Sequence, residues 1–410
     1  MHRLTLAVLF SLILAAGFAF AQEEAGETEA AAVDTVQAME EAPAESVLLG
    51  TDFGLGGRIG EAISKTPRGT GPGEIDPEAE PGFAGIPGAP DINYIIGVLW
   101  AIWVGWIFST VGAFGGIMAG VGHITIYGLG DYARGFKQTN PTLNKLLTDS
   151  IRVSNQFLVG LSALVSSTNY ARKGQLVLPL GLTLGLGSVT GALLIPVLTA
   201  GKINLSSYIG WFGVIVFVIG AYLVWQISPA GSKFKQEAKK AAAEFQKSVK
   251  EKSDSVEKGV KITKFSLAKI HFTFYGVEFK FSPLLPFIGG FFIASIASFL
   301  GIGGGFLYVP FMTSVVGLPM FLVAGTSALC VLIGMIVSIF TYMAIKGTFV
   351  SWSLVGVEMI GIFIGSMIGP RTQKYIPDKV LKIIFIILAV YVGLRYFSKG
   401  FFGSSWVPPY

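Results

Sequence analysis

Residues 298–327 hold the groups best suited to chemistry in a chain that has few polar side chains inside its apolar runs. The stretch reads Ser-Phe-Leu-Gly-Ile-Gly-Gly-Gly-Phe-Leu-Tyr-Val-Pro, passes through Gly317-Leu-Pro319 and closes on Gly325-Thr-Ser327. Gly301, Gly303, Gly304 and Gly305 interrupt a membrane-grade apolar run and free backbone N–H groups that lipid cannot satisfy, so this backbone must be buried in protein or line a wet cavity. A half-helix beginning there would aim unpaired N–H groups and its positive dipole end at an anion. Thr326 and Ser327 offer hydroxyl donors beside it. Ser154 and Asn155 stand at the corresponding place of the first half, behind the fainter glycine segment that contains Gly115 and Gly116. The competing reading is structural: small residues let helices pack closely, and Ser and Thr in membrane helices often bond back to helix carbonyls.

Glu358, between Val357 and Met359, is the one acidic residue within any apolar span. A carboxylate is costly to ionise inside a bilayer and by default marks a functional site, here one able to take up and release a proton. The alternative is a protonated Glu hydrogen-bonded between helices. His123, just past the first glycine segment, is the side-chain type whose charge changes nearest neutral pH, and is equally readable as a hydrogen-bonded structural residue. Lys173 and Lys346 occupy equivalent span ends, where they either gather anions or snorkel to the interface. Catalytic readings find no support. Histidines at 2, 123 and 271 make no metal site, the single Cys330 has no pair, and the glycine run lacks the Lys-Ser/Thr ending of a phosphate loop. No enzyme activity, cofactor or metal is expected.

With 410 residues, 52% hydrophobic and 13% charged, the chain has too much apolar surface for a soluble core. The expected fold is an all-α polytopic membrane protein of two related bundles, each of about four transmembrane helices with glycine-broken segments, plus a small soluble insertion. Residues 1–21 resemble a signal peptide ending in Ala19-Phe20-Ala21, or a short first span. Residues 22–92 carry 15 Asp and Glu against 3 Lys and Arg and are expected to form a mostly disordered, extracytoplasmic acidic tail. The remaining excess of Lys and Arg suits membrane insertion and an anionic leaflet, and equally an anionic solute; no nucleic-acid motif is present. Residues 93–227 form the first membrane repeat. In residues 228–282, a charged helix with apolar residues too sparse for a core stripe precedes a hairpin about Tyr275-Gly276. Residues 283–398 form the second repeat and residues 399–410 a C-terminal tail. Of Trp100, Trp103 and Trp106 on the first span, the outer two are candidate interface anchors.

The duplication is legible in residues. Ser109, Gly112, Gly115 and Gly116 precede Ser298, Gly301, Gly304 and Gly305 by 189 positions each, and Ser154, Lys173 and Gly174 precede Ser327, Lys346 and Gly347 by 173. Gly187 and Gly191 correspond to Gly361 and Gly365, small residues four apart that suit close helix contact. Duplicated halves with the solute held where they meet are a usual construction of secondary transporters. Hydropathy leaves open whether the halves are parallel or inverted.

The pattern Gly301-Ile-Gly-Gly-Gly305, Val309-Pro310, Gly317-x-Pro319, Gly325-Thr-Ser327, Tyr342, Lys346-Gly347, Trp352 and the spacing Gly361, Gly365, Gly369 resembles the TauE/SafE sulfite exporter family. The resemblance implies a helical plasma-membrane protein that carries small sulfur oxyanions or organosulfonates, such as sulfite and sulfoacetate, outward. The first half departs from the motif, with Phe114 in place of Gly303 and Val121 in place of Pro310. The expected function is export of a small sulfur-containing anion, coupled to protons through Glu358 and His123. The rival is a non-transporting assembly factor or receptor whose tail and insertion bind protein partners.

Overall fold

A computed structural model describes residues 57–199, 209–228, 236–251, 259–300, 305–345 and 347–408. The signal-like segment, the first part of the acidic stretch, Gly301, Gly303, Gly304 and Lys346 lie outside the described residues. The protein is mostly helical. In chain order the helices are α1 (Gly57–Ser64), α2 (Tyr94–Val111), α3 (Gly115–Val121), α4 (Leu129–Thr139), α5 (Pro141–Arg172), α6 (Leu178–Thr199), α7 (Ile209–Ile227) and α8 (Gln236–Glu251). Strands β1 (Val260–Phe265), β2 (Ile270–Phe274) and β3 (Val277–Phe281) follow, then α9 (Leu284–Leu300), α10 (Gly305–Pro310), α11 (Met320–Phe340), α12 (Trp352–Gln373) and α13 (Asp378–Phe402). By length and composition, Tyr94–Val111, Met320–Ala344, Trp352–Gln373 and Asp378–Phe402 can cross a membrane, and shorter apolar helices include Leu178–Leu193 and Leu284–Ser295. The span expected at residues 153–170 falls inside α5, whose run is interrupted by Ser, Asn, Gln and Thr.

The chain divides into two compact units. The first comprises residues 57–91, 129–154 and 336–351. Here the expected disordered tail is corrected, because residues 57–91 fold. Ile59, Ile63, Ile75, Phe83 and Ile86 are buried, and Asn140 Nδ2 donates to Ala62 O at 2.7 Å and to Thr66 Oγ1 at 2.9 Å. Thr139 Oγ1 donates to Gly73 O at 2.7 Å. The average composition of residues 22–92 hid this run of isoleucines among the glycines and prolines. Asn140 also accepts from Leu143 N at 2.9 Å, capping the start of α5 just before Pro141.

The second unit comprises residues 92–128, 155–335 and 352–408. Its framework is three helix pairs, α2 with α12, α6 with α9, and α7 with α13. Two of these seams are notched by glycine in the same way. A Cβ on Gly361 would meet Val98 O at 2.5 Å and one on Gly365 would meet Ile102 O at 2.0 Å. On the other seam, a Cβ on Gly187 would meet Phe287 O at 2.0 Å and one on Gly191 would meet Phe291 O at 2.3 Å. Backbone meets backbone there, the close approach that small residues permit between membrane helices. In the third pair Gly210 faces Phe401, Gly213 faces Phe397 and Gly393 faces Phe217, so α7 and α13 run antiparallel. Outward-facing Ile95, Leu99, Ile360, Phe363 and Ile387 leave these helices an apolar exterior suited to lipid.

Two of the tryptophans turn inward. Trp100 Nε1 donates to Met118 O at 3.0 Å and Trp106 Nε1 to Thr372 Oγ1 at 3.0 Å, so both expected interface anchors are internal donors.

The segment after α7 is more structured than its composition suggests. The expected hairpin is there, turned at Tyr275 (φ 48°) and Gly276 (φ 76°), the two positive φ values that a tight turn between twisted strands requires. Strand β1 adds to it, giving an antiparallel sheet in the order β1-β2-β3. The expectation that α8 lacks a core stripe is corrected: Ala238, Ala241, Ala242 and Phe245 are buried, at i, i+3, i+4 and i+7. Phe245 stacks at 5.9 Å on Phe274, meets Tyr275 at 5.3 Å and reaches Phe321 of α11 at 4.5 Å. Phe245→Ala is therefore expected to destabilise the docking of α8 by about 3–5 kcal/mol, the usual loss for a buried Phe. Faster hydrogen exchange in β2 and β3, with no change in α2 or α12, is the readout.

Candidate functional site

Helix α2 has Asn93 as its N-cap, with Oδ1 accepting from Ile95 N at 3.0 Å, and ends at Gly112 in the left-handed region (φ 78°). Phe114 is also left-handed, at φ 68°. For a residue with a side chain this costs about 1–2 kcal/mol, offset here by ring contacts with Phe306 at 6.1 Å and Phe385 at 4.9 Å. The chain then re-enters helix at Gly115, and α3 widens into a π-helical turn at Gly122–Ile126, closed by Tyr127 N donating to Gly122 O at 2.9 Å. Such wide turns recur at functional sites because they re-aim side chains.

This turn carries His123 and Tyr127 to Glu358 of α12. His123 Nε2 lies 2.8 Å from Glu358 Oε2, and Tyr127 OH donates to Glu358 Oε1 at 2.9 Å. The other ring nitrogen, Nδ1, lies 2.5 Å from Asn155 Oδ1 of α5. His123 is 1% exposed and Glu358 2%. Both histidine nitrogens thus face oxygen atoms, one of an amide and one of a carboxyl group. Gly97 of α2 lies against the cluster, with Tyr127 OH and Glu358 Cγ the nearest groups to its face. Buried Thr125 Oγ1 and Gln156 Oε1, flanking the quartet in sequence, have no hydrogen-bond partner among the described residues.

The other expected site residues sit differently. Ser327 Oγ donates to Gly112 O at 2.7 Å, and Thr326 Oγ1 donates to Leu322 O at 2.7 Å while accepting from Val177 N at 3.1 Å. Both hydroxyls are occupied by backbone. Ser327 belongs to a set that serves the broken end of α2, where Tyr170 OH donates to Ser109 O at 2.7 Å and Gln373 Nε2 to Thr110 O at 2.8 Å. An interrupted helix leaves its last carbonyls without partners, and Ser327, Tyr170 and Gln373 supply them from three other elements. Ser154 is buried on α5. Gly115 and Gly116 open α3, with Phe108 and Val159 beside them. Gly305 opens α10, a helix of six residues followed by a π-helical turn at Phe311–Val316. Lys173 Nζ donates to Pro370 O at 2.6 Å near the end of α12. Burial, then the charges of Lys374 and Arg371, pull its pKa down to about 8.

Sequence reasoning flagged His123, Asn155 and Glu358 separately and missed Tyr127, Tyr170 and Gln373. For Tyr127 a signal existed: it follows His123 by four residues, one helical turn.

A family model described as sulfite exporter TauE/SafE matches residues 98–396. A probable membrane transporter protein of Methanocaldococcus jannaschii is 33% identical over 122 residues, which cover 28% of this chain and 45% of that protein. The match therefore spans less than half the length of that relative. No solved structure matches the chain.

Proposed function

Since the chain belongs to the TauE/SafE sulfite exporter family, we propose that it is a multi-pass secondary transporter of the plasma membrane that carries a small sulfur-containing anion outward together with a proton. The solute is sulfite, sulfoacetate or a close relative, and the N-terminal segment lies outside the cytoplasm. The observation that carries the coupling is the buried contact of 2.8 Å between His123 and Glu358. A histidine and a carboxyl in hydrogen-bond contact, withdrawn from water within an apolar bundle, form a natural relay.

Alternating access comes from two inverted repeats, 93–227 and 283–398. The seams support this. Phe287 follows Val98 by 189 residues and Phe291 follows Ile102 by 189, the spacing already read between the glycine breaks. Each of these carbonyls faces the matching glycine of the other half, Gly187 and Gly191 or Gly361 and Gly365. The π-helical turns at Gly122–Ile126 and Phe311–Val316 also begin 189 residues apart. In the last pair, Gly213 with Phe217 and Gly393 with Phe397 are related by 180 residues and pack reciprocally on antiparallel helices. A two-fold axis that maps α7 onto an antiparallel α13 lies in the membrane plane, which is the inverted arrangement. In this reading the glycine segments that contain Gly115, Gly116 and Gly305 flank the solute path and Ser327 closes the broken helix end, while Gly301, Gly303 and Gly304 lie outside the described residues.

Purified protein in liposomes loaded with sulfite, sulfoacetate or thiosulfate is expected to release at least one of them faster than empty vesicles do. Release no faster than from empty vesicles for all three would remove the exporter reading.

A further inference from the structure

The transport reading leaves open where the anion sits, and the quartet around Glu358 answers that. We propose that Glu358 is a built-in competitor for the transported oxyanion: when it takes up a proton it releases His123 Nε2 and Tyr127 OH, and one oxyanion of single negative charge takes those two donors. This inference rests on the reading above and adds to it the position of the solute and the proton count.

The Glu358 carboxylate resembles the anion with which it competes. Two oxygens on one planar group each accept from a different donor, His123 Nε2 at 2.8 Å and Tyr127 OH at 2.9 Å. Sulfite and sulfonates present the same feature, oxygens on one centre sharing a negative charge, so donors aimed at a carboxylate pair suit them equally. The donors are also held for the purpose. His123 Nδ1 is fixed on Asn155 at 2.5 Å, and the His123 and Tyr127 rings meet edge-on at 5.5 Å.

Charge balance then selects the coupling. Empty, the site holds an imidazolium and a carboxylate, net zero. Loaded, it holds an imidazolium, a neutral carboxylic acid and a monovalent anion, again net zero. An anion entering without the proton would leave a net negative charge in a bundle that offers no compensation, an expensive state away from water. Within the span Tyr94–Val111 there is no charged side chain, on α12 Glu358 is the one charged residue before Arg371, and α5 contributes the neutral Asn155. His123 and Tyr127 are the titratable groups facing Glu358 from the turn after α3. The proton moves from water to the Glu358 carboxylate and back; no covalent bond is made or broken.

Among the described residues there is one such site. By the spacings of the duplication, His123 and Tyr127 correspond to Met312 and Val316 at 189, Asn155 to Ala328 at 173, and Glu358 to Leu184 at 174. Met312, Ala328 and Leu184 are fully buried, and all belong to the apolar core. The inverted counterpart is dry, so one proton accompanies one anion.

Two readouts test this on full-length protein. In the first, hydrogen sulfite or a monovalent alkanesulfonate added to the purified protein is expected to produce an infrared band of a protonated carboxyl that is lost in Glu358→Gln. In the second, liposome flux of the same anions is expected to accelerate with an imposed pH gradient in the wild type. Glu358→Gln, whose neutral amide stands in for the protonated carboxyl, should exchange anions but lose that dependence. Tyr127→Phe should keep the dependence and raise the KM for the anion about tenfold, the loss of one hydrogen bond. A pH-gradient response retained in Glu358→Gln, or an unchanged KM in Tyr127→Phe, overturns the competitor while leaving transport standing. Wild-type protein that moves neither anion overturns both.

Discussion

Glu358→Ala is expected to destabilise the protein by about 3–5 kcal/mol, because it strips one partner from a buried pair and leaves His123 and Tyr127 pointing at nothing. Both members of the pair are almost fully withdrawn from solvent, so water cannot replace the lost contact without opening the bundle. His123→Ala should cost a comparable amount for the reciprocal reason. The informative variant is the double one. His123→Met with Glu358→Leu installs the residue types found at the counterpart positions Met312 and Leu184, which the same architecture already packs without any polar group. Replacing a buried pair by fitting apolar side chains is often neutral or stabilising. The double variant should therefore melt near the wild-type temperature in detergent, well above either alanine variant, while losing all proton-coupled flux. A double variant no more stable than the singles would show that the seam depends on more than this one contact.

Gly365→Ala and Gly187→Ala are expected to have the next largest effect, about 3 kcal/mol or more, at the upper end of overpacking penalties. In each case the added methyl would lie 2.0 Å from a backbone carbonyl oxygen of the facing helix, Ile102 O or Phe287 O. A side chain could rotate away, but a helix backbone cannot, so the whole seam must separate. Gly356→Ala is the matched control on α12. Nothing stands within 4 Å of its added methyl, and the substitution should be neutral or gain up to about 1 kcal/mol from helix propensity. Thermal midpoints of the three variants in one detergent distinguish a seam effect from a general intolerance of the helices to substitution.

Much of this architecture was legible because membrane sequences are written in few letters. Glycines at 361 and 365, and at 187 and 191, announced close contact by their spacing, and the contact is made to backbone in both places. What the sequence did not give was the partner. Glu358 and His123 are 235 residues apart and were both assigned to proton coupling without being placed in contact; they meet because α12 lies against α2, a pairing that no hydropathy plot contains. Thr326 and Ser327 were read as solute donors because hydroxyls beside a broken helix serve either purpose. Thr326 bonds back to Leu322 O of its own helix, and the commitment of Ser327 to Gly112 O follows from where the carbonyls of α2 end, which is a tertiary fact. The helix stripe on α8 escaped notice because three of its four residues are alanine, small enough to look like filler and just small enough to sit on a sheet.

Passage of one proton with each monovalent anion is tested by recording anion efflux and internal pH together, in liposomes holding the full-length protein and hydrogen sulfite or a monovalent alkanesulfonate. One proton should leave per anion, at a rate unaffected by an imposed membrane potential. Efflux with no accompanying proton, or with a rate that follows the potential, would rule out coupling through the His123–Glu358 pair.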